Sequence, residues 1–249
     1  GRVSSNDVAK AAGVSQATVS YVLSGRWEKN GISEVTRDAV EAAARKLGYR
    51  ANRMAQSLKL GRSMVVGVVV SPSSSNNFFM EIVLAQEKFL AEAGYLVVLV
   101  HSFDDAAIER ERINVIKGYN VDGMLIVPAS TGGKTDVIRS LLDEHWPFVL
   151  VDKEVDGIAA NFVGTDDLAG ARLAVEHLVA LGHRQIAHLS GPRGTSTADA
   201  RRQGYLEVLR EHDLPIRDEF IVGDSWPNDM AARRKAAQVA APLFRCNPR

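Results

Sequence analysis

Between positions 16 and 21 the chain places an amide, a methyl group, two hydroxyls and a phenol, on Gln16, Ala17, Thr18, Ser20 and Tyr21. Val19, Val22 and Leu23 share the same short segment and can turn inward together. Side chains this short let a helix sink into a major groove, and their donors, acceptors and methyls can meet base edges and phosphates. The chemistry on offer is therefore base reading, with nucleic acid as the leading partner. An ordinary helical hairpin of a core would share the apolar spacing.

Catalytic chemistry finds little support. Gly132-Gly133-Lys134-Thr135 resembles the end of a phosphate-binding loop, but Pro128 stands where the first glycine is needed. His101, His177, His183 and His188 have no metal-ligand spacing, no G-x-S-x-G elbow occurs, and Cys246 has no partner motif. Neither an enzyme, a metal nor a cofactor is expected.

The elements that must hold the reading positions follow from caps and periodicity. Ser4 with Asp7 three positions on is a capping-box pattern, Val8, Ala9 and Ala12 give a narrow apolar face, and Gly13 stops the helix. Ser15 then caps a second helix that can cross the first closely. A third helix is predicted from Ser33, with Val35, Ala39, Val40, Ala43 and Leu47 inward and Gly48 as its end. Trp27, in the loop 25–31, is expected to pack on this small domain. The segment 50–62 is too polar for a core helix, yet helix-prone from Arg53 to Leu60, and reads as a conditional helix.

From residue 62 onward strands and helices alternate. Strands are predicted at 64–70, 95–100, 123–127, 148–151, 185–189 and 220–222, with helices near 79–93, 106–119, 135–144, 168–181, 199–212 and 230–244. Continuous β-branched strands between amphipathic helices imply parallel sheets covered on both faces, whose ligands gather beyond the carboxyl ends of the strands. Polar or aromatic residues cluster at those ends: 71–79, 101–104, 128–131, Asp152, Thr165-Asp166, 190–192 and 224–226.

Charge divides the chain in the same place. Residues 1–62 carry 11 Lys and Arg against 5 Asp and Glu, so the formal charge of +0 for the whole hides a basic module on a mildly acidic body. Such a split suits phosphate attraction confined to one end. With 249 residues, 46% hydrophobic and 24% charged, there is material for a sizeable core. The chain has no apolar run of membrane-spanning length, no signal-peptide core, and one cysteine; a reducing cytoplasm is the expectation.

The segments NDVAKAAGVSQATVSYVLSG, SEVTRDAVEAAARKLGY and NRMAQSLK, in that order, resemble the LacI family of bacterial transcription regulators. Beyond them, NNFFMEIV, VDGMLIVP, VEHLVALGHRQIAHLSGP and ARRQGY resemble that family's effector domain, which has the two-lobed fold of periplasmic sugar-binding proteins. The resemblance implies an α/β protein: a small all-α helix-turn-helix domain at 1–49, a hinge helix and linker at 50–62, then a parallel α/β core with lobes at 63–160 and 161–249. It implies that Ser15, Gln16, Ala17, Thr18, Ser20 and Tyr21 face DNA. Asn52, Arg53, Leu58 and Lys59 join them from the hinge, Leu58 as a minor-groove wedge that trades unstacking for a bent duplex. It further implies effector contacts from Asp152 and Arg201, stacking or enclosure by Phe78 or Phe79 and Trp226, and Asp166 on the far rim. A carboxylate and a guanidinium fork would orient hydroxyls while an aromatic face covers a sugar ring. Arg201 could instead serve a surface ion pair, and Asp152 or Asp166 a strand-end cap.

Two departures from the family pattern stand out: Ala51 replaces the usual proline before the hinge, and the loop 25–31 is longer than the usual turn. The expected protein is an effector-controlled repressor, a homodimer on operator DNA with a small-molecule effector, most often a sugar in this family but also purines and other metabolites. The alternative is a solute-binding receptor with the same lobed core. The family continues past the helix matching 230–244 with further strand-helix units, so the second lobe is expected to be incomplete here.

Overall fold

The computed structural model describes residues 3–50, 61–70, 77–129, 135–191, 193–223, 240–241 and 243, in two compact units, 1–63 and 64–249.

The first unit contains three helices, α1 (Ser5–Ala12), α2 (Gln16–Leu23) and α3 (Glu34–Leu47), each opened by a serine. Ser4 and Asp7 form a reciprocal box: the Asp7 carboxylate accepts from the Ser4 backbone N–H at 2.9 Å, and the Asp7 N–H donates to Ser4 Oγ at 3.3 Å. Those bonds hold the Asp7 carboxyl below its usual pKa. Gly13, at φ +67°, turns the chain through the left-handed region that ends α1, and one residue separates it from the Ser15 cap. Ser15 Oγ accepts from the Thr18 N–H at 3.1 Å, and Ser33 Oγ from the Thr36 N–H at 3.2 Å.

Val8, Ala9, Val19, Val22, Val40 and Ala44 form the shared core of this unit. Trp27 packs against it with the Arg37 guanidinium 4.8 Å above its ring, so the expected packing role holds. The inward stripe of α3 differs from the expected one. Val35 is 79% exposed and Ala39 is also exposed, because the stripe runs through Val40, Ala43, Ala44 and Leu47, and Val35 lies off that line at 3.6 residues per turn. The loop 25–31 carries a short 3₁₀ turn, Glu28–Asn30.

The second unit is built on a five-stranded parallel sheet in the order β2-β1-β3-β4-β5. The strands are β1 (Val65–Val70), β2 (Leu96–His101), β3 (Gly123–Ile126), β4 (Phe148–Val151) and β5 (Phe162–Val163). The period of two is visible in β1. Val68 and Val70 join Val83 of helix α4 (Asn77–Glu92) on one face. Val69 joins Ile113 and Ile116 of α5 (Ala106–Gly118) and Ile138 and Leu141 of α6 (Asp136–Asp143) on the other. A glycine is required between them at Gly67, where an added Cβ would lie 2.6 Å from Ile116.

β5 was not expected. Leu150 N–H donates to Asn161 O at 2.8 Å and Asp152 N–H to Val163 O at 2.9 Å, so the sheet continues past the 160/161 boundary drawn from sequence. Two residues are too short to show a period of their own.

After β5, α7 (Asp167–Ala180) and α8 (Ser196–Glu211) pack closely through Gly204, and bury Val175, Val179, Tyr205, Val208 and Leu209. Two parallel two-residue strands, β6 (His188–Leu189) and β7 (Ile221–Val222), complete the described part. Both are shorter than expected. Ile186 instead turns its carbonyl to the Tyr205 hydroxyl at 2.8 Å, and Phe220 closes a 3₁₀ turn. Of the helix expected at 230–244, only Ala240, Ala241 and Leu243 are described, and these are helical.

Candidate functional site

Helix α2, the expected DNA-reading helix, is held at its entry by local bonds. Its Ser15 cap exchanges a hydroxyl bond with Thr18 at 2.9 Å, and Gln16 Nε2 donates to Ser5 Oγ on α1 at 2.8 Å, which ties the starts of the two helices together. Ser15, Gln16, Ala17 and Tyr21 are exposed, whereas Thr18 and Ser20 are half-buried, the first of them folded back on the cap. The exposed surface of α2 is thus narrower than the sequence suggested, and Gln16, Ala17 and Tyr21 remain at its front. Beyond α2, the Arg26 guanidinium lies 5.9 Å over the Tyr21 ring, its Nε donating to Ser24 Oγ at 3.0 Å. The Arg26 carbonyl accepts from Asn30 Nδ2 at 2.7 Å. Arg26 thus places a cation beside the exposed Tyr21 ring, a contact its place in an irregular loop gave no signal for. Asn52, Arg53, Leu58 and Lys59 lie outside the described residues.

In the second unit a cavity of about 380 Å³ opens where the end of β4 and the turn after β5 meet the first turns of α7 and α8. Asp152 and Asp166 both line it, together with Glu154, Phe162, Thr165, Asp167, Leu168, Ser196 and Thr197. Asp152 follows β4 at φ +67°, a left-handed conformation costly for a residue other than glycine. Its backbone N–H is fixed on Val163. Burial pushes the Asp152 carboxyl above its usual pKa; Lys153 opposes that rise, Asp167 adds to it and Arg201 opposes it. Among the described residues no donor reaches that carboxylate.

Arg201 is absent from the cavity wall but is held by Asp167 of that wall, Nε to Oδ1 at 2.7 Å. Its side chain is 55% exposed and that of Asp167 only 8%. Asp166 caps α7 by accepting from the Ala169 N–H at 2.9 Å, so the capping role and the cavity-lining position coexist in one side chain. Phe79 belongs elsewhere: it packs on the Val68, Val70 and Val83 cluster and is not part of the cavity wall. The side chain of Phe78, and Trp226, lie outside the described residues. Sequence reasoning did not single out Phe162, Asp167, Ser196 or Thr197. Ser196 and Thr197 precede the helix predicted at 199–212, and Asp167 the one at 168–181, so no sequence signal marked them. Glu154 N–H donates to Ser196 Oγ at 3.1 Å, joining the end of β4 to α8.

Lys153, the residue after Asp152, takes part in a second cluster of ionisable groups. Glu109, on the first turn of α5, is 1% exposed and its carboxylate accepts from the Ala129 N–H at 2.6 Å. Lys153 Nζ donates to Pro128 O at 3.2 Å and lies 3.7 Å from Asp104. Burial, with a smaller contribution from Asp104, pushes the Glu109 carboxyl up to about 7 against the Ala129 bond and Lys153. The ends of β2, β3 and β4 are knotted together beside the cavity by these contacts. No group of acids, histidines or cysteine among the described residues could hold a metal ion, and no described helix is long and apolar enough to cross a membrane.

Comparison with known proteins gives the same division. Residues 6–52 match the bacterial regulatory proteins of the lacI family, and residues 63–248 match the periplasmic binding proteins and sugar binding domain of LacI family. The chain is 32% identical to the HTH-type transcriptional regulator PtxS of Pseudomonas plecoglossicida, over 99% of this chain and 71% of that protein. It is also 32% identical to the maltose regulon regulatory protein MalI of Escherichia coli K12, over 99% of this chain and 69% of that one. A solved structure, the lac repressor dimer bound to operator and the anti-inducer ONPF, superposes with a TM-score of 0.78 at 28% identity, over 98% of this chain and 71% of that one. A capped helix pair in the first unit, a parallel α/β core with a polar cavity at its strand ends, and matches across both units lead to one conclusion: the chain belongs to the LacI family of bacterial regulatory proteins.

Proposed function

We propose that the protein is a sequence-specific, operator-binding transcription repressor whose hold on DNA is set by a small-molecule effector, a sugar. The observation that carries the DNA role is α2: a helix capped by Ser15, anchored to α1 through Gln16, and presenting Gln16, Ala17 and Tyr21 to solvent. In this reading residues 1–49 read the major groove, with Arg26 neutralising backbone phosphate beside Tyr21. The segment 50–62 forms the hinge, where Asn52, Arg53 and Lys59 follow the backbone and Leu58 wedges the minor groove.

The effector sits in the cavity at the ends of β4 and β5. Asp152 accepts from ligand hydroxyls, the Asp167–Arg201 pair fixes the far side, and Phe162 supplies an apolar wall. Trp226 and Phe78 are proposed to enclose it. The protein acts by binding and not by catalysis, in the cytoplasm with the chromosome, and as a homodimer. One short helix contacts too few bases for selectivity, whereas a two-fold protein matches two half-sites.

The test is selection of duplexes from a random pool by the complete protein, followed by anisotropy titration across salt. A palindromic site should emerge, bound far more tightly than random duplex, with affinity falling steeply as salt rises. Equal binding of selected and random duplex at moderate salt would refute the reading.

A further inference from the structure

The cavity carries a charge signature that bears on which sugars it can hold. Four carboxylates, Asp152, Glu154, Asp166 and Asp167, line it, and no lysine or arginine does so among the described residues. Among the described residues Lys153 and Arg201 are the cations that act on Asp152, and the charge of Arg201 is spent on Asp167 at 2.7 Å. That pair resists being opened for a ligand, because the Asp167 side chain is 8% exposed and would be left as a nearly buried, unpaired carboxylate. Lys153 is turned to Pro128 and Asp104.

Asp152 adds a second, independent indication. Its carboxylate lines the cavity, is half-buried, is held there by a left-handed backbone, and meets no donor among the described residues. An ionised carboxylate only accepts, so its partner must bring O–H or N–H groups. Thr165 and Thr197 can each give or take a hydrogen bond, which suits a ligand with a hydroxyl on nearly every carbon. A phosphate or carboxylate on the ligand would bring acceptors to acceptors and negative charge to negative charge in a partly desolvated space.

We infer that this cavity selects an uncharged, hydroxyl-rich sugar and rejects phosphorylated and carboxylated sugars. The inference rests on the effector reading above and narrows it to a ligand class.

Calorimetric titration of the complete protein with D-ribose, D-glucose and maltose, each set against ribose 5-phosphate, glucose 6-phosphate and gluconate, tests it. A neutral sugar should bind, and its anionic counterparts should bind roughly tenfold or more weakly, with the gap closing as ionic strength rises. Asp167→Asn, which releases Arg201, should narrow the gap or reverse it. Glu154→Gln, at an exposed rim position, should narrow it in the same direction without touching the buried pair. An anionic sugar that binds the unmodified protein as tightly as its neutral counterpart overturns the inference while leaving the effector reading intact. If no sugar of either kind binds or changes operator affinity, the effector reading falls and the inference with it.

Discussion

Glu109→Gln is expected to make the core of the second unit more stable at pH 8 and to leave it nearly unchanged near pH 4.5. Glu109 is 1% exposed, and its pKa is pushed up to about 7 from 4.5, chiefly by burial. Between those two values the folded protein holds a proton that the unfolded chain has released. Stability from this group is therefore fully present below the unfolded pKa and is lost as pH rises through the folded one. A displacement from 4.5 to about 7 corresponds to roughly 3 kcal/mol, net of the opposing effects of the Ala129 N–H and Lys153. Glutamine keeps an oxygen for the Ala129 N–H, now at 2.6 Å from the carboxylate, and removes the ionisation. The groups facing Glu109 among the described residues, Asp104 and Lys153, are present in both proteins and cancel in the comparison. Urea unfolding of the two proteins at steps from pH 4.5 to 8.5 can be followed by the fluorescence of Trp146, which packs on the same core as Ile113 of α5, in a Trp27→Phe, Trp226→Phe background. The difference in stability should grow by about 2 to 3 kcal/mol across that range. A difference that stays flat with pH would mean Glu109 ionises freely in the folded protein, and the buried knot of strand ends would need another description.

Gly204→Ala should destabilise the second unit by roughly 1 to 3 kcal/mol in a denaturant melt, because the new methyl would lie 2.5 Å from Leu168 O and 3.1 Å from Ala171. An unchanged midpoint would show that α7 and α8 can move apart at no cost. Gln16→Ala and Tyr21→Ala should each weaken the selected operator by about 1 to 3 kcal/mol and relax base preference at one position, read by anisotropy against single-base variants. Gln16→Ala also loses the bond to Ser5, so a thermal melt separates lost reading from lost anchoring. Arg201→Ala should abolish the response to effector while operator affinity survives, since Arg201 belongs to the second unit and not to the reading helix. Operator binding lost together with effector response would contradict that separation.

What the sequence revealed and what it withheld divide along a physical line. Ser4, Asp7, Gly13 and Ser15 could be read directly, because a cap bonds to its own chain within three or four residues and depends on nothing distant. The strand β1 was legible for a related reason: burial on both faces demands a continuous β-branched run, and five of its six residues are valine. The phase of α3 was misjudged at Val35 because the stripe that matters is the one opposite Val8 and Val19, and periodicity alone admits neighbouring stripes. β5, β6 and β7 have two residues each, so their identity lies in their partners rather than in any pattern of their own.

The cavity shows the same limit in its sharpest form. Asp152 and Asp166 could be found as polar residues at a strand end and before a helix, but their neighbours Phe162, Asp167, Ser196 and Thr197 come together only when β5 is paired to β4 and α8 is packed on α7. Phe79, with an aromatic ring at the expected place in the sequence, goes to the core instead, because Val68, Val70 and Val83 offer it apolar surface to bury. An aromatic near a strand end thus satisfies either role, and the choice is made by whichever surface gains more from covering it. Carboxylates have less freedom: Asp167 is held at 8% exposure because Arg201 meets it there, and Asp152 stays half-buried in the cavity wall with no hydrogen-bond donor on its carboxylate among the described residues.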